Sequence, residues 1–239
     1  MVQSSRYLCR IVENFTSSPE AEYCTIVEGG EELLLSWDDL RQDCQSVISA
    51  LGENLKGVVL IFLRHGRWLH GTFFGVMLAG GIPSFMPCTS EKQDNNLYWK
   101  SHQELINHIN PTAIITDVPT QLEMDEVNLN LGGANLILID NLEPANDLGE
   151  FQLPSDDEVA LLQHSSGTTG LKKGVALTHE SVLFHAESYI SSLIMNGGDK
   201  IISWLPLYHD MGLMACMLTP AYNKTPVLHI NPFEWVSKP

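Results

Sequence analysis

Short apolar runs alternate with longer amphipathic segments over residues 21–140. Six runs bounded by Gly, Pro or polar residues predict β-strands: Tyr23–Val27, Glu32–Ser36, Gly57–Phe62, Ile82–Met86, Thr112–Thr116 and Asn135–Ile139. Four segments between them predict helices: Trp37–Leu51, Arg67–Ala79, Tyr98–Ile109 and a weaker one near Val118–Val127. Strands that alternate with helices of this length predict an α/β fold with mostly parallel sheets flanked by helices.

The pattern changes after residues 141–158, a polar segment with two prolines that predicts a connecting loop. Two apolar strands, Val159–Gln163 and Val175–Leu177, then flank a Ser/Gly-rich segment. Thr178 is expected to cap a helix that runs to about Ile194. Its apolar face is predicted to consist of Leu183, Ala186, Ile190 and Leu193.

Residues 68–90 contain no charged residue and are long enough to cross a bilayer. Gly80, Gly81, Pro83 and Pro87 interrupt the segment, which favours a buried helix, a glycine turn and a buried strand instead. The first fifteen residues lack the apolar core of a signal peptide. The sequence therefore predicts neither a membrane span nor secretion.

The 239 residues provide one large domain or two small ones. Thirteen Lys and Arg against 29 Asp and Glu give a formal charge of −16, which disfavours nucleic acid and anionic membrane surfaces as partners. The five cysteines form no C-x-x-C pair, so a reducing, cytoplasmic location is expected. His65 and His70, like His102 and His108, lack the spacing of metal ligands on one helix face and are interpreted as packing or surface residues.

The segment Ser165–Gly174 combines four hydroxyls, three glycines and two lysines. Glycines let backbone N–H groups turn toward an anion, hydroxyls add donors, and lysine supplies the countercharge. Residues 101–171 contain twelve carboxylates and no Lys or Arg, so Lys172 and Lys173 end a long acidic stretch. The spacing does not fit G-x-x-x-x-G-K-[ST], which disfavours a P-loop kinase.

This segment resembles the phosphate-binding signature [ST]-S-G-[ST]-[ST]-G-x-P-K-G-V of the adenylate-forming superfamily, and Ser165–Val175 departs from it only where Lys172 replaces Pro. A second motif, Ser203–Leu213, has the W-L-P-x-x-H-D-M-G-L form that is most similar to fatty acyl-AMP ligases. Residues 33–40, 71–87 and 230–239 resemble further blocks of the family. The resemblance therefore covers nearly the whole chain.

The resemblance implies that ATP and a carboxylic acid, here a medium or long fatty acid, react to an acyl-adenylate. The acyl group would pass to a phosphopantetheine thiol of an acyl carrier protein or CoA. His209 would orient the acid or stabilise developing charge. The residues implied to hold the ATP phosphates are Ser165, Ser166, Gly167, Thr168, Thr169, Gly170 and Lys173, of which Lys173 is also implied to be catalytic.

Residues 1–239 are expected to form a partial N-terminal AMP-binding domain with two incompletely represented α/β subdomains and no C-terminal domain. The family's Mg²⁺ ligand is expected downstream. Residues 225–230, Phe233 and Trp235 form an apolar patch that no later element covers, which favours either a truncated chain or a split protein that needs a second chain. The alternative function is a catalytically silent or split half that acts as a binding or assembly module.

Overall fold

The computed structural model describes residues 5–52, 54–89, 94–143, 145, 151, 153–164 and 174–232. This part of the chain contains two four-stranded sheets, a two-stranded hairpin and the helices that connect their strands. The helices of that part of the chain are α1 (Arg6–Ser17), α2 (Trp37–Leu51), α3 (Trp68–Leu78), α4 (Asn95–Ile109), α5 (Val118–Glu126), α6 (His179–Leu193), α7 (Asp210–Leu213) and α8 (Thr219–Asn223). The strands are β1 (Glu22–Glu28), β2 (Glu31–Ser36), β3 (Val58–Phe62), β4 (Ile82–Phe85), β5 (Ala113–Thr116), β6 (Asn135–Leu138), β7 (Val159–His164), β8 (Gly174–Thr178), β9 (Ile201–Ser203) and β10 (Val227–Ile230).

The first sheet has the order β4-β3-β5-β6, and all its strands are parallel. Strand β3, inside this sheet, is buried on both faces: Val59 and Ile61 pack into one apolar cluster, and Leu60 and Phe62 pack into another. Such burial explains the continuous apolar run of β3. The α/β prediction is confirmed for this part of the chain.

The second sheet has the order β2-β1-β10-β9, and its first pair is antiparallel. The pairs β1–β10 and β10–β9 are parallel, so the prediction of mostly parallel sheets holds here as well. Gly29 and Gly30 have φ of +64° and +81°, and two consecutive residues at positive φ form the tight turn that joins antiparallel strands. Earlier strands cover residues 225–230, because β10 lies between β1 and β9 and buries Val227 and His229. Phe233 and Trp235 lie outside the described residues.

Residues 68–89 form the predicted buried helix, turn and strand. Nearly every residue of α3 is buried, and Gly80 turns the chain into β4 with a φ of +86°. Among the described residues, no helix has the length and apolar character needed to cross a bilayer.

Helix α3 packs closely on α2 because it presents glycines to it. A Cβ at Gly71 would lie 2.5 Å from the Cβ of Asp43, and one at Gly75 would lie 2.8 Å from the Cβ of Val47. Arg67 at the start of α3 donates to the buried Asp43 carboxylate over 2.9 Å. Burial outweighs this ion pair and raises the pKa of Asp43 to about 6.

Helix α1 was absent from the predicted elements, and helix α6 departs from its prediction at one end. The Ser5 side chain caps α1, which buries Tyr7, Leu8 and Phe15. Thr178 caps α6 as predicted, accepting a hydrogen bond from the backbone N–H of Ser181. The predicted apolar face of α6 is wrong at its end, since Leu193 is 61% exposed.

Candidate functional site

The first predicted motif begins and ends at one pair of neighbouring strands. Strands β7 and β8 are antiparallel, and His164 at the end of β7 is paired with Gly174 at the start of β8. The predicted phosphate-site residues between them lie outside the described residues: Ser165, Ser166, Gly167, Thr168, Thr169, Gly170 and Lys173. Lys172 also lies outside them. The structure therefore describes the two strands that flank this motif, β7 and β8, which we call its frame. The roles of the residues within the motif stay predictions.

Strand β7 is fastened to the first sheet at this end. The hydroxyl of Ser84 on β4 donates to the carbonyl oxygen of Leu162 over 2.9 Å, and its oxygen lies 2.9 Å from Nδ1 of His164. A Cβ at Gly174 would lie 3.3 Å from Nε2 of His164, so this imidazole packs against the start of β8. These contacts fix both ends of the motif relative to β4.

The second motif forms a loop between β9 and α7, and we call Leu205–His209 the His209 loop. His209 precedes Asp210, the first residue of α7. Its backbone N–H donates to the carbonyl of Pro206 over 3.1 Å, and its own carbonyl accepts from Leu213. The imidazole is exposed and lies 4.8 Å from the ring of Tyr208. The loop thus presents His209 where a ligand can reach it.

A hydrogen bond joins strand β7, which leads into the first motif, to the His209 loop. The side-chain amide of Gln163, next to the first motif, donates to the carbonyl oxygen of Tyr208 over 2.9 Å, although the residues are 45 positions apart. His209 and the frame of the first motif therefore lie side by side. Gln163 was not among the predicted site residues; the available hint was a polar residue after the apolar run of β7, two positions before Ser165.

Close backbone packing holds the His209 loop against α7. A Cβ at Gly212 would lie 2.3 Å from the carbonyl oxygen of Pro206 and 3.1 Å from that of Leu205. Residues 214–218 then form a π-helical turn between α7 and α8. Pro220 in the first turn of α8 has no N–H to continue regular helical bonding, which fits such a widened turn.

A cavity of about 570 Å³ opens beside the His209 loop. It lies where β3, β4 and β10 end, which is the usual ligand position in α/β sheets. Apolar side chains make up much of its wall: Leu63, Leu69, Phe85, Met86, Pro87, Leu207 and Pro232. Three residues of the loop, Pro206, Leu207 and Tyr208, thus line the cavity, and His209 is exposed beside it.

Arg64 and Glu28 are the charged residues among the described lining residues, with His65 and His229 as titratable neighbours. The guanidinium of Arg64 is paired with Glu123 at 2.7 Å and Asp117 at 3.6 Å. Burial lowers the pKa of His65 and brings the pKa of His229 to about 4, so both rings are neutral at pH 7. This part of the wall offers no unpaired cation and suits an uncharged ligand.

The apolar residues after His209 do not contribute to this cavity. Met214, Met217 and Leu218 are buried in the main core cluster. An apolar run at this place could line an acyl tunnel or pack in the core, and the structure supports packing. Among the described residues no group of three His, Cys, Asp or Glu side chains could hold a metal ion.

Comparison with known proteins assigns the family. The AMP-binding enzyme family matches residues 13–235, so the chain belongs to that family. It is 35% identical to a medium-chain-fatty-acid–[acyl-carrier-protein] ligase of Teredinibacter turnerae over 91% of this chain, and 28% identical to a 4-hydroxyphenylalkanoate adenylyltransferase of Mycobacterium marinum over 91%. It spans 36% of the length of both relatives.

A fatty acyl-adenylate ligase from L. pneumophila, solved with acyl adenylate and pyrophosphate, matches 99% of this chain and 41% of its own length. The TM-score is 0.86 at 24% identity, a likeness that concerns the fold. The chain has an α/β fold and belongs to the AMP-binding, adenylate-forming family that its motifs resemble.

Proposed function

We propose that the protein uses ATP to activate a medium or long fatty acid as its acyl-adenylate. An oxygen of the carboxylate forms a bond to the α-phosphorus of ATP, the bond from that phosphorus to the bridging oxygen breaks, and pyrophosphate leaves with the electron pair. The observation that carries this proposal is the hydrogen bond from Gln163 to Tyr208, because it holds the His209 loop beside the frame of the Ser/Gly/Lys motif.

Charge placement supports the assignment of roles. Pyrophosphate is a polyanion, and lysine with backbone and hydroxyl donors is suited to stabilise it as it leaves. Lys173, Thr168 and Thr169 would act on the β- and γ-phosphates, and Ser165, Ser166, Gly167 and Gly170 would shape the loop. His209, exposed beside this frame, would orient the carboxylate. The family's Mg²⁺ is expected to be bound by residues downstream.

The cavity supports an apolar acid. Its described wall is largely apolar and its arginine is paired, so an alkyl chain would bury surface there without displacing an ion pair. Each buried CH₂ contributes about 0.8 kcal/mol, so a chain several carbons longer than acetate would be strongly preferred. The ligase of T. turnerae is named for medium-chain fatty acids and an acyl carrier protein, which supports the same substrate class and a phosphopantetheine thiol of a carrier protein or CoA as acceptor.

The organisation of the protein is part of the proposal. Residues 1–239 would be the N-terminal portion of an AMP-binding domain in two α/β subdomains, acting in the cytoplasm. Adenylate formation would need the adenine, ribose and metal elements that the family places further downstream.

A screen of carboxylic acids tests the proposal. The protein expressed from its natural reading frame is assayed for acid-dependent exchange of labelled pyrophosphate into ATP with acetate, octanoate, dodecanoate, palmitate, phenylalanine and an aryl acid. Exchange should be fastest with a medium or long fatty acid. A preference for an amino acid or aryl acid would contradict the substrate, and no exchange with any acid would favour a silent module.

A cavity-filling variant locates the acyl chain. Leu69→Trp enlarges a side chain in the cavity wall, and Leu122→Trp makes the same change on the exposed face of α5, where Leu122 is 58% exposed. Leu69→Trp should move the preference to shorter acids, while Leu122→Trp should leave it unchanged. Identical chain-length profiles for both variants would exclude this cavity as the acyl site.

A further inference from the structure

Three histidines from separate parts of the fold meet behind the His209 loop. The ring of His229 on β10 lies 4.9 Å from that of His65 and 5.6 Å from that of His70 on α3, and both contacts are edge-on. His70 and His229 are 0% and 2% exposed. Tyr23 on β1 adds a buried hydroxyl 2.7 Å from Nδ1 of His70.

The carbonyl of Leu205 sets the direction of the hydrogen bonds that link His229, His70 and Tyr23. Nε2 of His229 lies 3.2 Å from the carbonyl oxygen of Leu205, which can only accept, so Nε2 carries the proton. Because burial keeps the His229 ring neutral, its Nδ1 must accept, and it does so from Nε2 of His70 at 3.4 Å. Nδ1 of His70 then accepts from the Tyr23 hydroxyl.

The result is a directed chain of donors that ends on the His209 loop. The carbonyl of Leu205 fixes the tautomer of His229, and His70 and Tyr23 complement that tautomer as donors. The carbonyl of Leu205 also faces α7 at Gly212. Gln163 holds the other end of the loop at Tyr208. His65 contacts the ring and the backbone of His229 but is not a link in these side-chain hydrogen bonds, because its Nε2 donates to the carbonyl of Val27 over 3.1 Å.

We infer that His229 is a positioning residue for the proposed reaction: through Leu205 it sets the place of His209. The activity part of this inference rests on the proposed function. Reacting groups must be held closely, because a displacement of about 1 Å can cost about a hundredfold in rate. Loss of the hydrogen bond between His229 and the carbonyl of Leu205 would therefore displace His209, four residues further along the loop, and lower the rate.

The tautomers can be observed directly. In protein labelled with ¹⁵N-histidine, two-bond ¹H–¹⁵N spectra at pH 7 should show His70 and His229 as neutral rings protonated at Nε2. The single variants His70→Gln and His229→Gln identify the two sets of signals. An Nδ1-protonated ring or an imidazolium at either position would overturn the directed chain.

Two variants of His229 separate positioning from packing. The amide nitrogen of glutamine can take the place of Nε2, whereas that of asparagine lies nearer Nδ1 and does not reach Leu205. His229→Gln should retain kcat/KM within about threefold, and His229→Asn should lower it about tenfold or more. Tyr23→Phe leaves the bond to Leu205 in place and should change kcat/KM less than about threefold.

A readout without catalysis keeps the two proposals apart. The ring signals of His209 should move in His229→Asn and stay in place in His229→Gln. Signals of His209 that are unchanged in both variants would overturn the positioning role, whichever acid the protein activates. If they respond as expected while the unmodified protein exchanges pyrophosphate with no acid, the proposed function fails and the positioning of the loop stands.

Discussion

Gly212→Ala should distort the His209 loop more than its size suggests. The added Cβ would lie 2.3 Å from the carbonyl oxygen of Pro206 and 2.9 Å from its carbonyl carbon. Ordinary contact requires about 3.5 Å, so loop and helix must separate by about 1 Å. No side-chain rotation relieves the clash, because both contacts are with backbone atoms. The separation would displace His209, which lies between Pro206 and Gly212 in the chain.

Both the stability and the activity of this variant can be calculated to order of magnitude. Overpacking of this kind costs about 1 to 3 kcal/mol in the free energy of unfolding. A displacement of about 1 Å at a reacting group costs about a hundredfold in kcat/KM. Urea unfolding measures the first quantity and acid-dependent pyrophosphate exchange the second, in protein from the natural reading frame.

Gly197→Ala is the matched control. A Cβ at Gly197 has no atom within 4 Å, so this variant should behave as the unmodified protein in both assays. Equal stability and equal exchange for Gly212→Ala and Gly197→Ala would refute the close packing of α7 on the loop. Lost stability with unchanged exchange would instead show that the position of His209 does not matter for the reaction.

Two further predictions concern charge. Lys173→Ala should cost about 2 to 4 kcal/mol of transition-state stabilisation, measured as the loss in kcat/KM. Lys172→Pro should lower kcat/KM only slightly, because it restores the family's turn residue. Equal losses in the two variants would contradict the assignment of the phosphate contact to Lys173. Burial holds the pKa of His179 and His229 at about 4, below about 6.5 when unfolded, so the free energy of unfolding should fall between pH 6.5 and 4 by about 1.4 kcal/mol per histidine per pH unit. Asp43 has a raised pKa of about 6, so its protonation increases the free energy of unfolding as the pH falls from 6 to 3.8. This gain offsets about the loss that one of the two histidines causes. Urea titrations from pH 7 to 4.5 should show a net loss, and a rise on acidification would contradict this balance.

Elements with local sequence determinants could be predicted closely. Helix α2 occupies the predicted residues Trp37–Leu51, because Ser36 and Asp39 form a reciprocal capping box at its start and Gly52 follows its end. The buried helix, turn and strand of residues 68–85 followed from apolar residues interrupted by Gly80 and Gly81. In both cases the determinants lie within a few residues of the element that they set.

Features that depend on distant contacts could not be predicted. His70 and His229 are 159 positions apart, so no spacing along the chain indicates that their rings meet. The partner of Gln163 is a backbone carbonyl, which leaves no trace in the residue type of Tyr208. Gly29-Gly30 is a local feature that fits the hairpin of β1 and β2, whereas the parallel partner of β1 on its other side, β10, lies far along the chain at Val227–Ile230.

The transfer of carboxylate oxygen tests adenylate formation most directly. A fatty acid labelled with ¹⁸O in both carboxyl oxygens is incubated with ATP, the acyl acceptor and protein from the natural reading frame, and the nucleotide products are analysed by mass spectrometry. If the carboxylate attacks the α-phosphorus and a nucleophile later attacks the acyl carbon, AMP should carry one ¹⁸O and pyrophosphate none. Unlabelled AMP, or ADP and phosphate in place of AMP and pyrophosphate, would contradict the proposed reaction.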